Sequence, residues 1–270
     1  MSLVNTNWLK KNLDKVKIVD CSWHMPQTKR NGFREYQDQH IENAIFFDLD
    51  KNSKTDTDLP HMLTDIKSWE KIVSDMGIRN EDQIIIYDNS DVISSCRCWY
   101  NFIYFGHNPS LVHVLDGGLK KWINEKKPTV SNLTKTTSSN YIASEKKKLV
   151  KNKKQIDENI DKNEFKVVDA RSRDRFEGKV PEPRKELKSG CIKNSFCLPF
   201  SELINEDHTF VAKEKILEKF RLTKCNLDEN IVFTCGSGVT ASVLALAYSL
   251  IDTKYMPTIY DGSWSEYGKN

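Results

Sequence analysis

The sequence has no apolar run of about 18 residues, which excludes a membrane-crossing helix of ordinary length. It has little charge of one sign: 41 Lys and Arg face 38 Asp and Glu, a net of +3 over 270 residues. So small an excess gives no reason to expect nucleic acid or an anionic membrane as a partner. The seven cysteines, at 21, 96, 98, 191, 197, 225 and 235, are odd in number and lack paired framework spacing. Both features argue against a secreted disulfide scaffold. Cys96 and Cys98 form C-x-C rather than the C-x-x-C of redox or zinc sites, and no histidine lies nearby, so no metal is expected. Most of the seven read as buried small apolar residues. Residues 1–17 lack a secretory apolar core, and Trp8, Leu9, Leu13 and Val16 look like the apolar face of a first short helix. The cytoplasm is the expected location, without a transit peptide.

What is there suggests two domains. The length fits two units of roughly 100–150 residues, and 38% hydrophobic residues with 10% aromatic suffice for real cores. The two halves also echo each other. Lys17–Asp20 returns as Lys166–Asp169, and Ile41–Ile45 returns as Ile192–Phe196. The run Ile84–Asp88 returns as Asn230–Cys235, and Leu115–Trp122 returns as Tyr260–Trp264. All four landmarks keep their order at offsets of about 150 residues. Short apolar strands alternate with helical patterns in each half, which predicts an α/β fold around mostly parallel sheets. The runs at Ile84 and Ile231 lack alternation, as expected of strands covered on both faces. The predicted boundaries are a first domain over 1–127, a linker over 128–150 rich in Thr, Ser, Asn and then Lys, and a second domain over 151–270. The lysines at 146, 147, 148, 151, 153 and 154 read as a solvated linker or helix face. Two similar domains imply a cleft, a common place for a ligand.

The strand Ile231–Thr234 runs into Cys235-Gly236-Ser237-Gly238-Val239-Thr240 and then an apolar helix beginning near Ala241. Two glycines let the backbone curl so that several N–H groups face one point. The helix N-terminus adds partial positive charge there. A thiol so placed should be acidified and serve as a nucleophile whose bound group carries negative charge.

These residues resemble the active loop of the 3-mercaptopyruvate sulfurtransferases within the rhodanese family. The resemblance runs from about Trp8 to Tyr267. It includes Asp20-Cys21-Ser22-Trp23, Phe46-Phe47-Asp48, Pro60-His61-Met62-Leu63, Leu115-Asp116-Gly117-Gly118, Pro181-Glu182-Pro183-Arg184 and Tyr260-Asp261-Gly262-Ser263-Trp264. It implies two tandem rhodanese-like domains, each a mostly parallel sheet flanked by helices, with the nucleophile only in the second; Asp88 stands where Cys235 stands. It further implies a persulfide on Cys235, cradled by Gly236, Gly238, Val239 and Thr240. Arg175 and Arg184 match positions that bind the donor's carboxylate and keto group, a task suited to the planar guanidinium fork. Arg97 matches a first-domain arginine facing the cleft, although the usual proline before it is missing. Ser237 is implied to polarise the substrate or relay a proton, with Asp50 and His61 completing the relay. Ser242 replaces a cysteine common in relatives.

The implied chemistry is a ping-pong transfer from a small-molecule sulfur donor to a thiol acceptor such as thioredoxin, or to cyanide, with no cofactor and no metal. An exposed, acidified thiolate would also be prone to oxidation. Thiosulfate-using relatives resemble a loop with basic residues directly after the cysteine; here Gly236 and Ser237 are uncharged, which favours mercaptopyruvate as donor. A Cys-based phosphatase would need arginine at position 241, and the residue is Ala241. A binding-only module would have no need to keep the cysteine, both glycines and both arginines together. A monomer is expected.

Overall fold

The computed structural model describes residues 2–225, 229–252, 254–255 and 257–269. The chain divides into two units. Unit 1 comprises Met1–Thr55, Leu63–Lys146 and Glu206–Thr209; unit 2 comprises Asp56–Met62, Lys147–Asn205 and Phe210–Asn270.

In unit 1 the apolar runs pair as one parallel sheet of β1 (Leu3–Val4), β2 (Lys17–Asp20), β3 (Ala44–Phe46), β4 (Ile84–Tyr87) and β5 (Val112–Leu115), in the order β1-β5-β4-β2-β3. Its helices are α1 (Thr6–Lys10), α2 (Gly32–Asp38), α3 (Ile66–Asp75), α4 (Ser95–Tyr104) and α5 (Gly118–Asn124). Unit 2 repeats the plan with β6 (Val150–Lys151), β7 (Lys166–Asp169), β8 (Phe196–Cys197), β9 (Ile231–Thr234) and β10 (Ile259–Tyr260), in the order β6-β10-β9-β7-β8. Its helices are α6 (Lys153–Lys162), α7 (Arg173–Phe176), α8 (Lys213–Leu222), α9 (Val239–Ile251) and α10 (Ser263–Tyr267). The echo in the sequence is thus a repeat of topology, and the α/β class with two parallel sheets is as expected. Strands β4 and β9 are buried at every residue, as a sheet covered on both faces requires.

Local chemistry explains the helix ends. The Asp65 carboxylate accepts the Lys67 and Ser68 amides and starts α3. That helix then buries Trp69 and Val73, and Trp69 stacks on Phe105 with centroids 4.8 Å apart. Asn152 and Gln155 form a reciprocal capping box at the start of α6. The first helix ends at Lys10, before Leu13 and Val16, which still pack on the core.

The segment expected as a linker is divided between the units. Its first part is tied to unit 1: the amides of Tyr141, Ala143 and Ser144 donate to Ser74 Oγ, Glu70 Oε1 and the Phe105 carbonyl at 3.0, 2.9 and 2.9 Å. Its end supplies β6, which pairs with β10. Of the lysine-rich stretch, Lys153 and Lys154 lie on α6 and pair with Asp157 and Glu158 one turn on.

In each sheet the strand order reverses between two central strands, β2 and β4 in unit 1 and β7 and β9 in unit 2. The carboxyl ends of such strands open the crevice where α/β folds place ligands. Asp88 follows β4 there, and Cys235 follows β9.

Candidate active site

Thr234 of β9 lies opposite Asp169 of β7, so Cys235 leaves the sheet beside the start of the loop containing Arg171. The Trp264 amide donates to the Cys235 carbonyl at 2.9 Å, and the Ser265 amide and hydroxyl both donate to the Gly236 carbonyl, at 2.9 and 2.5 Å. Ser263 Oγ accepts the Cys235 amide at 3.3 Å and donates to the Tyr260 carbonyl at 2.8 Å. Ser263 holds a φ of 49°, a left-handed conformation that a non-glycine residue adopts only where its surroundings impose it. These contacts pin the first turn of α10 across the loop. Cys235 is only 2% exposed, which corrects the expectation of an exposed thiolate: a strand-end position under α10 encloses it.

Gly238 turns the chain at a φ of 81° into α9, which begins at Val239. That backbone conformation strains any residue with a Cβ. Gly238 and Val239 are buried, while Gly236 and Thr240 remain partly accessible. The Ser242 hydroxyl bonds back to the Gly238 carbonyl at 2.9 Å, so the residue replacing a cysteine helps hold the loop.

Ser237 Oγ lies 2.8 Å from His61 Nδ1, and both residues are buried. The contact spans 176 residues of sequence yet falls inside unit 2, because Asp56–Met62 group with that unit. His61 also sits at a φ of 60°.

Two arginines flank the loop. The Arg175 guanidinium is near enough to Gly236 that a Cβ there would meet it at 3.5 Å. Arg175 also donates to Glu182 through Nη2 and Nε, at 2.5 and 3.2 Å. Glu182 is buried and accepts Arg171 Nη1 as well, at 2.8 Å. Arg171 in turn forks onto Asp169, donates to the Gly190 carbonyl and lies 4.3 Å from the Trp264 ring centroid. Such a buried network is held together by mutual charge; removing one member leaves an uncompensated ion at a cost of about 3–5 kcal/mol. Arg184 is half-buried and donates to Ser265 Oγ at 2.9 Å. Burial pulls its pKa down, as does the neighbouring Arg175, while Glu186, Cys235 and Glu182 oppose the drop.

Unit 2 therefore brings together Cys235, Gly236, Ser237, Gly238, Val239, Thr240, His61, Arg175 and Arg184. Asp50 and Arg97 belong to unit 1. The Asp50 carboxylate accepts the Trp23 indole N–H at 3.0 Å; Arg97 is fully buried on α4, 5.7 Å from the Tyr100 ring centroid. Sequence reasoning passed over Arg171, Glu182, Ser263 and Ser265. The repeat held a signal for two of them: Arg171 replaces Ser22 beside the equivalent aspartates, and Ser263 replaces Gly118. Of the other cysteines, Cys21, Cys96, Cys98 and Cys225 are buried, Cys197 is partly so and Cys191 is exposed. No group of three or more His, Cys, Asp or Glu among the described residues could hold a metal ion. Nor is any helix of the described residues long and apolar enough to cross a membrane.

The model of the rhodanese-like domain matches twice, over residues 5–125 and 152–270. A thiosulfate/3-mercaptopyruvate sulfurtransferase of Arabidopsis thaliana, named as mitochondrial, is 35% identical over 98% of this chain and 75% of its own length. The 3-mercaptopyruvate sulfurtransferase of Mus musculus is 34% identical over 98% of this chain and 91% of its own. Among solved structures, SseA of Escherichia coli, described as a 3-mercaptopyruvate sulfotransferase, superposes with a TM-score of 0.88 at 28% identity. That alignment covers 98% of this chain and 99% of SseA.

Proposed function

The chain belongs to the rhodanese family, and from that membership we propose that it is a sulfurtransferase carrying sulfur from 3-mercaptopyruvate on Cys235. The observation that carries this reading is the grouping in one unit of Cys235 at a strand end, the Ser237–His61 hydrogen bond and two guanidinium groups beside the loop. The Cys235 thiolate attacks the donor's sulfur. The carbon–sulfur bond breaks and its electron pair passes to the methylene carbon, giving pyruvate enolate and a Cys235 persulfide. Arg184 and Arg175 orient the carboxylate and keto oxygen, the Ser237 hydroxyl steadies the enolate oxygen, and the Ser237–His61 pair delivers the proton that completes pyruvate. The curled loop and the N-terminus of α9 favour the negatively charged persulfide. An acceptor thiolate, as in thioredoxin, or cyanide then takes the outer sulfur and returns Cys235 as thiolate. Asp50 is assigned to the same relay and Arg97 to donor binding on the resemblance alone.

Thiosulfate is the rival donor, because the Arabidopsis relative's name carries both substrates. Pyruvate release from 3-mercaptopyruvate tests the proposal: the wild type releases it and Cys235→Ser does not. A higher kcat/KM for thiosulfate would reverse the donor assignment. The cytoplasm is the proposed location on sequence grounds, against the mitochondrial name of one relative; microscopy of the full-length tagged chain separates the two.

A further inference from the structure

Arg175 and Arg184 flank the same loop but carry different effective charge. Arg184 donates to a neutral hydroxyl, Ser265 Oγ, and the carboxylate that acts on it most strongly through space, that of Glu186, belongs to an exposed residue. Arg175 instead shares a buried carboxylate, with Nη2 and Nε both on Glu182. Glu182 is itself fixed by Arg171, whose remaining charge is met by Asp169. The carboxylate thus meets Arg175 through Nε and through Nη2, the nitrogen that also faces Gly236, and is held there by Arg171 as well. The charge presented to the loop is close to one full cation from Arg184, plus a guanidinium whose charge is largely cancelled while its hydrogen-bonding fork stays rigid.

We propose that Glu182 is a positioning residue that sets donor choice, fixing the Arg175 fork while cancelling its charge so that the loop accepts a monoanionic α-keto acid thiol over a dianionic inorganic sulfur donor such as thiosulfate. This deepens the sulfur-transfer reading and rests on it. The physical reason is that each unit of site charge acts on a dianion twice as strongly as on a monoanion. Cancelling one unit therefore weakens thiosulfate more than mercaptopyruvate. Rigid placement of the fork retains the geometric advantage of a bound carboxylate or keto oxygen without the added field.

The test compares Glu182→Gln and Glu182→Asp in the full chain, measuring kcat and KM for both donors at two ionic strengths. Glu182→Gln keeps the shape and an accepting oxygen but restores the Arg175 charge. The ratio of kcat/KM for thiosulfate to that for 3-mercaptopyruvate should rise about tenfold, mostly through KM, and the rise should shrink at high salt. Glu182→Asp keeps the charge and shifts the fork; it should lower kcat for both donors and leave the ratio within about twofold. Should Glu182→Gln not fold, Arg175→Gln supplies the opposite arm: it leaves the Glu182 charge beside Gly236 and should move the ratio away from thiosulfate. Equal losses on both donors in Glu182→Gln, or an unmoved ratio in Arg175→Gln, would overturn the proposal while leaving sulfur transfer intact. Absence of turnover with either donor in the wild type would overturn both.

Discussion

The two units share one strand order and differ at the same point of it. In unit 1, Asp88 follows β4 and its own carboxylate accepts the amides of Ser90 and of Ser95, the first residue of α4, both at 2.8 Å. In unit 2, Cys235 follows β9, and only Gly236, Ser237 and Gly238 separate it from α9. The framing contact is preserved: Leu119 donates its amide to the Asp88 carbonyl at 2.9 Å, as Trp264 does to that of Cys235. The crevice in unit 1 is thus filled by a carboxyl group, which burial pushes above its ordinary range, on a longer loop. The shorter loop of unit 2 leaves the equivalent position to the Cys235 side chain. The strands behind differ in kind as well. Asp169 is forked by Arg171, whereas Asp20 has the amide of Ser22 at 2.9 Å in that place, and burial pushes its carboxyl up to about 7. The duplicated frame holds either side chain at the same strand end; on the proposed function, that difference assigns the reaction to unit 2.

The largest break of this contrast comes from Cys235→Ser, which should lower kcat at least about a thousandfold while the thermal midpoint barely moves, read by pyruvate release and calorimetry together. Next is Arg171→Leu, which leaves Asp169 buried without its cation and Glu182 with Arg175 alone, and should destabilise unit 2 by about 3–5 kcal/mol, measured by urea unfolding. For unit 1 the sharpening test is pH. A carboxyl raised from 3.8 to about 7 on folding keeps a proton that the unfolded chain has released between those values. Its contribution is fully present below about pH 4 and is lost as the pH rises through about 7, a drop of about 4 kcal/mol. Asp20→Asn should flatten that slope, seen as a smaller difference between unfolding curves at pH 5 and pH 8. The smallest effect is His61→Ala, which removes the Ser237 partner and should cost about a hundredfold in kcat with little change in KM for the donor.

The repeat was legible because buried parallel strands must be short apolar runs, and four of them recur with turn residues attached. The loop at Cys235 was legible because glycine is costly elsewhere and its pairing with a cysteine marks a tight turn. The 128–150 segment reads as a linker by its polar composition; that the backbone amides of Tyr141, Ala143 and Ser144 find partners on α3 and at Phe105 is revealed only by the folded unit. The Arg171–Glu182–Arg175 network was invisible for the same reason. Its members are scattered over positions 171 to 182, on α7 and the loops around it, and nothing in their spacing says that one carboxylate takes both arginines. The Ser237–His61 contact was read only through resemblance, since no local pattern links residues 176 apart.

Everything distinctive about unit 2 converges on one sulfur atom. Treating the full-length protein with 3-mercaptopyruvate and sequencing its peptides by mass spectrometry tests this most directly. The account predicts one added sulfur on the Cys235 peptide, lost on exposure to thioredoxin or cyanide, with Cys21, Cys96 and Cys98 of unit 1 unchanged. An unmodified Cys235 peptide, or equal sulfur on a unit 1 cysteine, would contradict it.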